Sequence, residues 1–155
     1  MKWRNGIVVY KKQLNDMQKL VLYFVIYSFL GWILETIFAL FVLGKFVKRG
    51  FLYGPVCPIY GFGAVLIILT LKKFKGKKAK EFFISMIVFS VFEYLVSWLF
   101  EMIFHLRWWD YSNDIGNING RISIAYSLAW GAIGLIFNEK IHPFIEAKLD
   151  KAKSK

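Results

Sequence analysis

The run from Leu20 to Leu43 constrains this chain more than any other feature. Glu35 is its only Asp, Glu, Lys, Arg or His, within the segment GWILETIF at 31–38. About 20 apolar residues in an α-helix cross the hydrocarbon core of a bilayer. A charged side chain at the centre of such a helix costs about 2.5–3.5 kcal/mol. The run therefore predicts a membrane span in which the carboxyl group has a structural or functional role.

Three more apolar segments follow, so the sequence predicts an all-α membrane protein with four transmembrane helices. The composition agrees, because a hydrophobic content of 57% and a mean hydropathy of +0.48 are high for a soluble domain. Glycine and proline interrupt the start of the second segment, which makes the outer connection between the first two helices a candidate for a partly re-entrant segment. The predicted spans are 20–43, 51–71, 82–106 and 121–138.

The distribution of basic residues predicts the orientation. Five Lys and Arg precede the first span, six lysines lie in 72–80 and five follow Phe137, whereas the other two connections hold five together. The positive-inside rule therefore places both termini and 72–80 in the cytoplasm. The same clustering attributes the net charge of +11 to membrane flanks and argues against a nucleic-acid partner. The basic tail, 138–155, either lies on the inner leaflet or is solvated.

A repeat of 66 residues links the two halves. Trp32, Glu35 and Phe38 match Trp98, Glu101 and Phe104 at that constant offset. Each half then continues through an arginine, Arg49 or Arg121, into a span that contains glycine. The sequence therefore predicts two tandem helix hairpins of parallel topology, 20–71 and 82–137, related by an axis along the membrane normal.

Polar side chains on these apolar helices form the candidate site. Steps of three and four residues place them on single helical faces, which we expect to point into the bundle. The candidate ligand or proton pathway comprises Glu35, Glu93, Glu101, Arg49, Arg121 and His105, supported by Ser28, Trp32, Ser97, Trp98 and Tyr94.

Two interpretations of these groups stay open. In the first, Glu35 and Glu101 pair with Arg49 and Arg121 and clamp the outer connections onto the bundle of a structural or regulatory scaffold. In the second, the same groups line the polar interior of a permease and bind a cation or a proton. Glu93 has no basic residue at its depth and favours the second interpretation. A protonated Glu93 hydrogen-bonded to a serine is the structural alternative for this residue.

Other chemistry has weak support in the sequence. His105 follows Glu101 by four residues, but one histidine and one carboxylate make a poor metal site, so no metal or cofactor is predicted. An enzyme is not predicted either, because Ser/His, paired-Asp and HExxH arrangements are missing from the chain. WWDYSN at 108–113 predicts an aromatic belt at the outer interface, with Asp110 in a turn.

Several segments together resemble a known family. They are GWILE, RGFLYGPVCPIYGFGA, FEYLVSWLFE, WWDYS and NGRISIAYSLAWG. Their order over about residues 22–137 is similar to that of the bacterial membrane proteins described as putative ABC-transporter type IV, or CmpB-like permeases. The resemblance implies a permease component in the bacterial inner membrane. A GxxxxGK[ST] phosphate loop is missing from this sequence, so an ATPase would be a separate partner. Besides the lipid bilayer, we expect such a partner or a homo-oligomer.

The predicted orientation can be tested by cysteine labelling. In a Cys57→Ser background, a cysteine placed within 72–80 should be protected from an impermeant thiol reagent in intact cells and should react after the cells are opened. Labelling from outside would contradict the proposed orientation.

Overall fold

The computed structural model describes residues 2–4, 7–9, 14–46 and 54–154. A short antiparallel hairpin of β1 (Lys2–Arg4) and β2 (Ile7–Val9) precedes the helical part of the chain. The chain divides into two compact units, with the boundary after Val65. The helical elements are α1 (Asp16–Leu43), α2 (Pro58–Leu71), α3 (Lys78–Phe104), α4 (Ile124–Ile136), a π-helical turn (Phe137–Ile141) and α5 (His142–Ser154).

Local signals set the ends of α1. Asn15 and Gln18 form a reciprocal capping box at its start, with each side chain bonded to the other residue's backbone N–H. Gly44 ends the helix with a φ of 64°, a left-handed conformation that glycine adopts without strain, and its N–H bonds the carbonyl of Leu40. The helix therefore begins ahead of Leu20, where the apolar run starts.

Two of the described helices are long and apolar enough to cross a membrane. They cover Asp16–Phe41 and Lys78–Phe104, each with a mean hydropathy of 1.9, and only 22% of each apolar window is buried. The core helix of a soluble protein would instead be mostly buried. The low burial of both apolar helices is what a membrane protein would show. Helices α2 and α4 are shorter, at 14 and 13 residues, so the four-span arrangement stays a prediction.

Helix α3 is inverted relative to a helix of a soluble protein. Its buried residues are all polar: Glu81, Ser85, Ser90, Glu93 and Ser97. Large apolar side chains are exposed along other faces, including Phe83, Ile87, Val91, Leu95 and Met102. Exposed apolar side chains suit a lipid environment, whereas the inward polar groups need partners inside the protein.

Small residues let α3 and α4 approach closely. A Cβ at Gly131 would lie 2.9 Å from the ring of Phe82, and a Cβ at Gly134 would collide with Ser85. Farther along, the Ser90 hydroxyl donates to the Ser127 hydroxyl at 2.7 Å. These contacts run antiparallel and join the two helices mainly through glycine and serine, as in many membrane helix pairs.

The first unit contains a similar close contact between α1 and the start of α2. Gly31 lies against the ring of Tyr60, and Gly61 lies against Ser28 and the backbone of Phe24. The backbone N–H of Cys57 donates to the carbonyl of Ser28 at 2.9 Å. Helix α2 begins at Pro58, where proline suits the first helical position. Of the predicted span from residue 51, residues 54–57 are not helical, and residues 51–53 lie outside the described part of the chain.

Replacing Gly61 with alanine tests the contact in the first unit. A Cβ at this position would lie 2.6 Å from the Phe24 carbonyl oxygen and would collide with Ser28 Oγ. Because the backbone oxygen cannot move aside freely, we expect a loss of about 1–3 kcal/mol in stability, measured by denaturation in detergent. Gly54→Ala is the control, since among the described residues the added Cβ would meet Val56 alone, at 3.9 Å. Equal stability of the two variants would refute the close approach.

Candidate functional site

The connection between α3 and α4 is held by a series of tight turns. His105 caps α3 with a φ of 53° and donates its N–H to the carbonyl of Glu101. Tyr111 N–H bonds the carbonyl of Gly120 at 2.8 Å, which brings the two ends of the connection together. Asp110 accepts a hydrogen bond from the backbone of Ser112 at 3.0 Å and thus serves as the expected turn residue.

An ion pair fixes this connection to α3. Arg121 Nη2 lies 2.6 Å from Glu101 Oε2, and Arg121 Nη1 donates to Ser97 Oγ at 3.2 Å. The guanidinium also lies 5.7 Å from the centre of the Tyr94 ring, a cation–π distance. The carbonyl of Arg121 accepts a hydrogen bond from Trp109 Nε1 at 2.9 Å. The structure therefore brings Glu101 and Arg121 together, as in the clamp interpretation.

The two members of the ion pair lie in different surroundings. Arg121 is buried, and its Nε has no hydrogen-bond partner. The Glu101 side chain is 38% exposed and has a second cation, Arg107, at 3.4 Å. Arg107 also lies 3.5 Å from Asp110. Hydrogen bonds from Ser112, with a smaller contribution from Arg107, lower the pKa of Asp110, so this carboxylate stays ionised beside the pair.

Glu93 occupies a different environment on the same helix. It is 7% exposed, and its two oxygens accept hydrogen bonds from Tyr111 Oη at 3.0 Å and from Trp130 Nε1 at 3.1 Å. Among the described side chains, no lysine or arginine lies within ion-pair distance of this carboxyl group. Burial and the nearby Glu93 charge raise the pKa of Tyr111, so its phenol remains a donor. Glu93 thus links three segments through uncharged groups.

In the first unit, Glu35 accepts a hydrogen bond from the Tyr60 hydroxyl. Its expected partner, Arg49, lies outside the described residues, so the predicted pair stays a prediction. Ser28 is buried on the same side of α1, against Gly61. Trp32 is half-buried and stacks on Phe29 with ring centres 6.2 Å apart. The carboxyl group here is bonded to a phenol, as one oxygen of Glu93 is.

Two predicted residues lie away from the polar face. Trp98 is 46% exposed. His105 is exposed at the helix cap, and its left-handed backbone ends the regular spacing that relates it to Glu101. The helical argument for a Glu101–His105 pair therefore does not extend to this histidine. In the described part of the chain, no three His, Cys, Asp or Glu side chains are grouped so as to hold a metal ion.

An apolar groove of about 660 Å³ lies on the second unit. Side chains of α3, α4 and their connection form its walls, among them Phe83, Ile87, Val91, Ile122 and Leu128, and the bonded Ser90 and Ser127 also line it. Glu93, Glu101 and Arg121 do not line this groove. The groove therefore lies apart from the charged side chains, although Ser90, Ser127 and Tyr94 line it, and its walls are mainly apolar.

Comparison with known proteins identifies the family. A family model described as putative ABC-transporter type IV matches residues 22–155. The chain belongs to that family. No curated protein and no solved structure matches it significantly. For this member of the type IV family, the match extends through the connection, α4 and α5, and so covers the site described above.

Several partners in this type IV family member could not be expected from spacing. The sequence suggested an aromatic belt at 108–113, and Trp108 is indeed 47% exposed and stacks on Phe100. Trp109 and Tyr111, however, donate hydrogen bonds to Arg121 and Glu93. The only available signal was that an indole and a phenol each carry a donor that requires a partner when buried.

Because Arg121 is buried and Glu101 is partly exposed, we expect the two single substitutions to lower stability by different amounts. Glu101→Gln leaves a buried guanidinium without its carboxylate, whereas Arg121→Gln leaves Glu101 with Arg107 and solvent. Since an uncompensated buried charge is the larger penalty, Glu101→Gln should lower the melting temperature in detergent more than Arg121→Gln, and the double variant should recover part of the loss.

Asp110→Asn is the control for these variants, because it keeps the oxygen that accepts from Ser112 and lies beside Arg107 rather than Arg121. A larger effect of Arg121→Gln, or a double variant no more stable than Glu101→Gln, would refute the clamp.

Proposed function

We propose that this chain is a permease-type subunit of a bacterial inner-membrane transporter, a multi-pass protein with both termini in the cytoplasm. The family match and the two apolar helices support a membrane transporter component. The chain carries no phosphate-binding loop, so energy from ATP would come from a separate ATPase partner. A small bundle also encloses little space by itself, which favours a homo-oligomer or a complex with such a partner.

The observation that carries a mechanism is the hydrogen bonding of Glu93. The two donors differ, because an indole N–H can only donate, whereas a phenol hydroxyl can donate or accept. When Glu93 takes up a proton, its carbonyl oxygen can keep the bond from Trp130, and its new hydroxyl can donate to Tyr111 Oη. The phenol keeps its own hydrogen, which turns away from Glu93 toward solvent, because Tyr111 is only half-buried. The arrangement thus accommodates both protonation states with little rearrangement.

This exchange would connect protonation to the outer connection. Tyr111 lies in that connection, which the Arg121–Glu101 pair also holds to α3. Protonation of Glu93 would reverse the hydrogen bond with Tyr111, so that Glu93 becomes the donor. It would thereby change how strongly the connection is held to α3. We propose that Glu93 is the proton-responsive group of the subunit, while Glu101 and Arg121 serve as the clamp. Glu35, which the 66-residue offset matches to Glu101, would form with Tyr60 a second carboxyl–phenol pair in the first hairpin.

Glu93→Gln tests this role. The glutamine amide can accept from Trp130 and donate to Tyr111 Oη, and so resembles the protonated carboxyl group. We expect near-normal folding but a weaker dependence of the melting temperature on pH, measured over roughly pH 5–9 to include shifted carboxyl groups. Tyr111→Phe should also alter this dependence, since it removes the exchanging hydroxyl. Unchanged pH profiles in both variants would refute the proposed role of Glu93.

The alternative function is a structural or regulatory scaffold. The observation that favours it is the ion-pair chain of Arg121, Glu101, Arg107 and Asp110, which stabilises the connection without needing a ligand. Purification of the full chain in mild detergent separates the two functions. A stoichiometric ATPase in the purified complex would support the permease, whereas a stable homo-oligomer without one, together with an unchanged Glu93→Gln pH profile, would support the scaffold.

A further inference from the structure

A second polar cluster lies at the opposite end of the α3–α4 pair from the ion pair. Glu81 is fully buried in the first turn of α3, and Ser85 follows it on the same helical face, also fully buried. Ser85 lies against Gly134 of α4, and one turn beyond that glycine is Asn138, which is 6% exposed. Because the two helices are antiparallel, Glu81 and Asn138 lie on the same side of the Ser85–Gly134 contact.

Each of these buried side chains has a polar atom without a hydrogen-bond partner. The atoms are Glu81 Oε2, Ser85 Oγ and Asn138 Nδ2. Buried polar atoms in proteins are normally hydrogen-bonded, and one left without a partner is destabilising. Three such atoms on facing turns of two helices indicate a shared small ligand better than three separate defects.

A second carboxylate lies beside Glu81. The backbone N–H of Gly76 donates to Glu81 Oε1 at 2.7 Å and to Glu139 Oε1 at 3.2 Å. Since both oxygens accept the same hydrogen, they lie within about 6 Å of each other, close enough for two like charges to disfavour one another. Within the described residues, no lysine or arginine forms an ion pair with either carboxylate.

Glu81 and Ser85 are fully buried, and the cluster reaches the protein surface through Gly76 and Glu139. Gly76 has a φ of 83°, a conformation that favours glycine, and it is exposed, as are the lysines around it. Asn138 and Glu139 both lie in the π-helical turn Phe137–Ile141, and such turns are frequent at functional sites. Glu139 is half-buried, so the cluster extends from an exposed loop to the buried Glu81.

We propose that Glu81, Ser85, Asn138 and Glu139 bind a divalent cation of the Mg²⁺ or Ca²⁺ type. Two carboxylates, a hydroxyl and an amide oxygen are the hard oxygen ligands that these ions prefer. A half-turn of the Asn138 amide exchanges its oxygen and nitrogen within the same volume and presents the oxygen to the ion. Oxygens bound to one calcium ion at 2.3–2.6 Å lie at most about 5 Å apart, so the two carboxylates need only a small approach.

The carboxylates of Glu81 and Glu139 favour a ligand with two positive charges. A divalent ion balances both carboxylates. The site would bridge α3, α4 and the loop that joins α2 to α3. It is separate from Glu93 and from the Glu101–Arg121 pair, so it does not depend on the proposed function.

Thermal denaturation of the full-length protein in detergent tests the site. MgCl₂ or CaCl₂ is titrated at neutral pH against choline chloride of equal ionic strength. We expect a saturable rise in melting temperature, with calorimetry giving one ion per chain. Glu139→Gln should weaken the apparent affinity about tenfold or more, and Glu81→Gln should abolish the rise, because each removes one ligand charge.

Glu146→Gln is the matched control, since this glutamate lies on α5 outside the cluster, and it should keep the response. If Glu81→Gln does not fold, Glu139→Gln and Ser85→Ala provide the test. The same rise in all variants would mean adventitious surface binding and would overturn the proposal. No response to either metal, with a pH-dependent stability that Glu139→Gln removes, would overturn it in favour of a proton shared by the two carboxylates.

Discussion

Every polar side chain that α3 turns inward must find its partner inside the protein. This requirement follows from the inverted pattern of the helix, with apolar side chains exposed and polar ones buried. Lipid offers no hydrogen bonds. The partners of Ser90, Glu93 and Ser97 come from α4 and from the connection that joins the two helices, whereas Glu81 accepts from Gly76 in the loop before α3. The close packing of glycine and serine between α3 and α4 is what brings those partners within reach.

The connection between α3 and α4 therefore does more than join two helices. It supplies Arg121 to Glu101, Tyr111 to Glu93 and Asn119 to the hydroxyl of Tyr94. Two residues with positive φ, Asn119 and Gly120, turn the chain back so that these groups reach α3 from one segment. The polar face of α3 is thus matched by a specific loop fold, and the clamp and the buried carboxyl group depend on the same turns.

Sequence reasoning predicted apolar helices, because long apolar runs act over many residues, and two described helices are long enough to cross a membrane. The other two spans, and the orientation inferred from the charge clusters, stay predictions. It also predicted that Glu101 and Arg121 lie within reach of each other, since both stand at the outer end of their segments. The donors to Glu93 were not predicted, because their positions depend on how the connection folds back.

The sequence predicted the start of α2 and the end of α3 less accurately, because single residues set these helix ends. Proline at 58 begins a helix and the left-handed His105 ends one, although the apolar composition continues past both residues. The predicted Glu35–Arg49 pair of the first repeat is untested, because Arg49 lies outside the described residues. Within the first unit, Glu35 is bonded to a tyrosine, a partner that neither charge nor spacing singles out.

The π-helical turn has a mechanical consequence for the end of the chain. The helix runs from α4 through Phe137–Ile141 into α5 without a loop. A π-helical turn contains about one residue more than an α-helical turn. One residue corresponds to about 100° of rotation around the axis of an α-helix. If this π-helical turn became α-helical, α5 and its lysines would rotate about the helix axis by about a quarter of a circle. Helix α4 would keep its packing against α3.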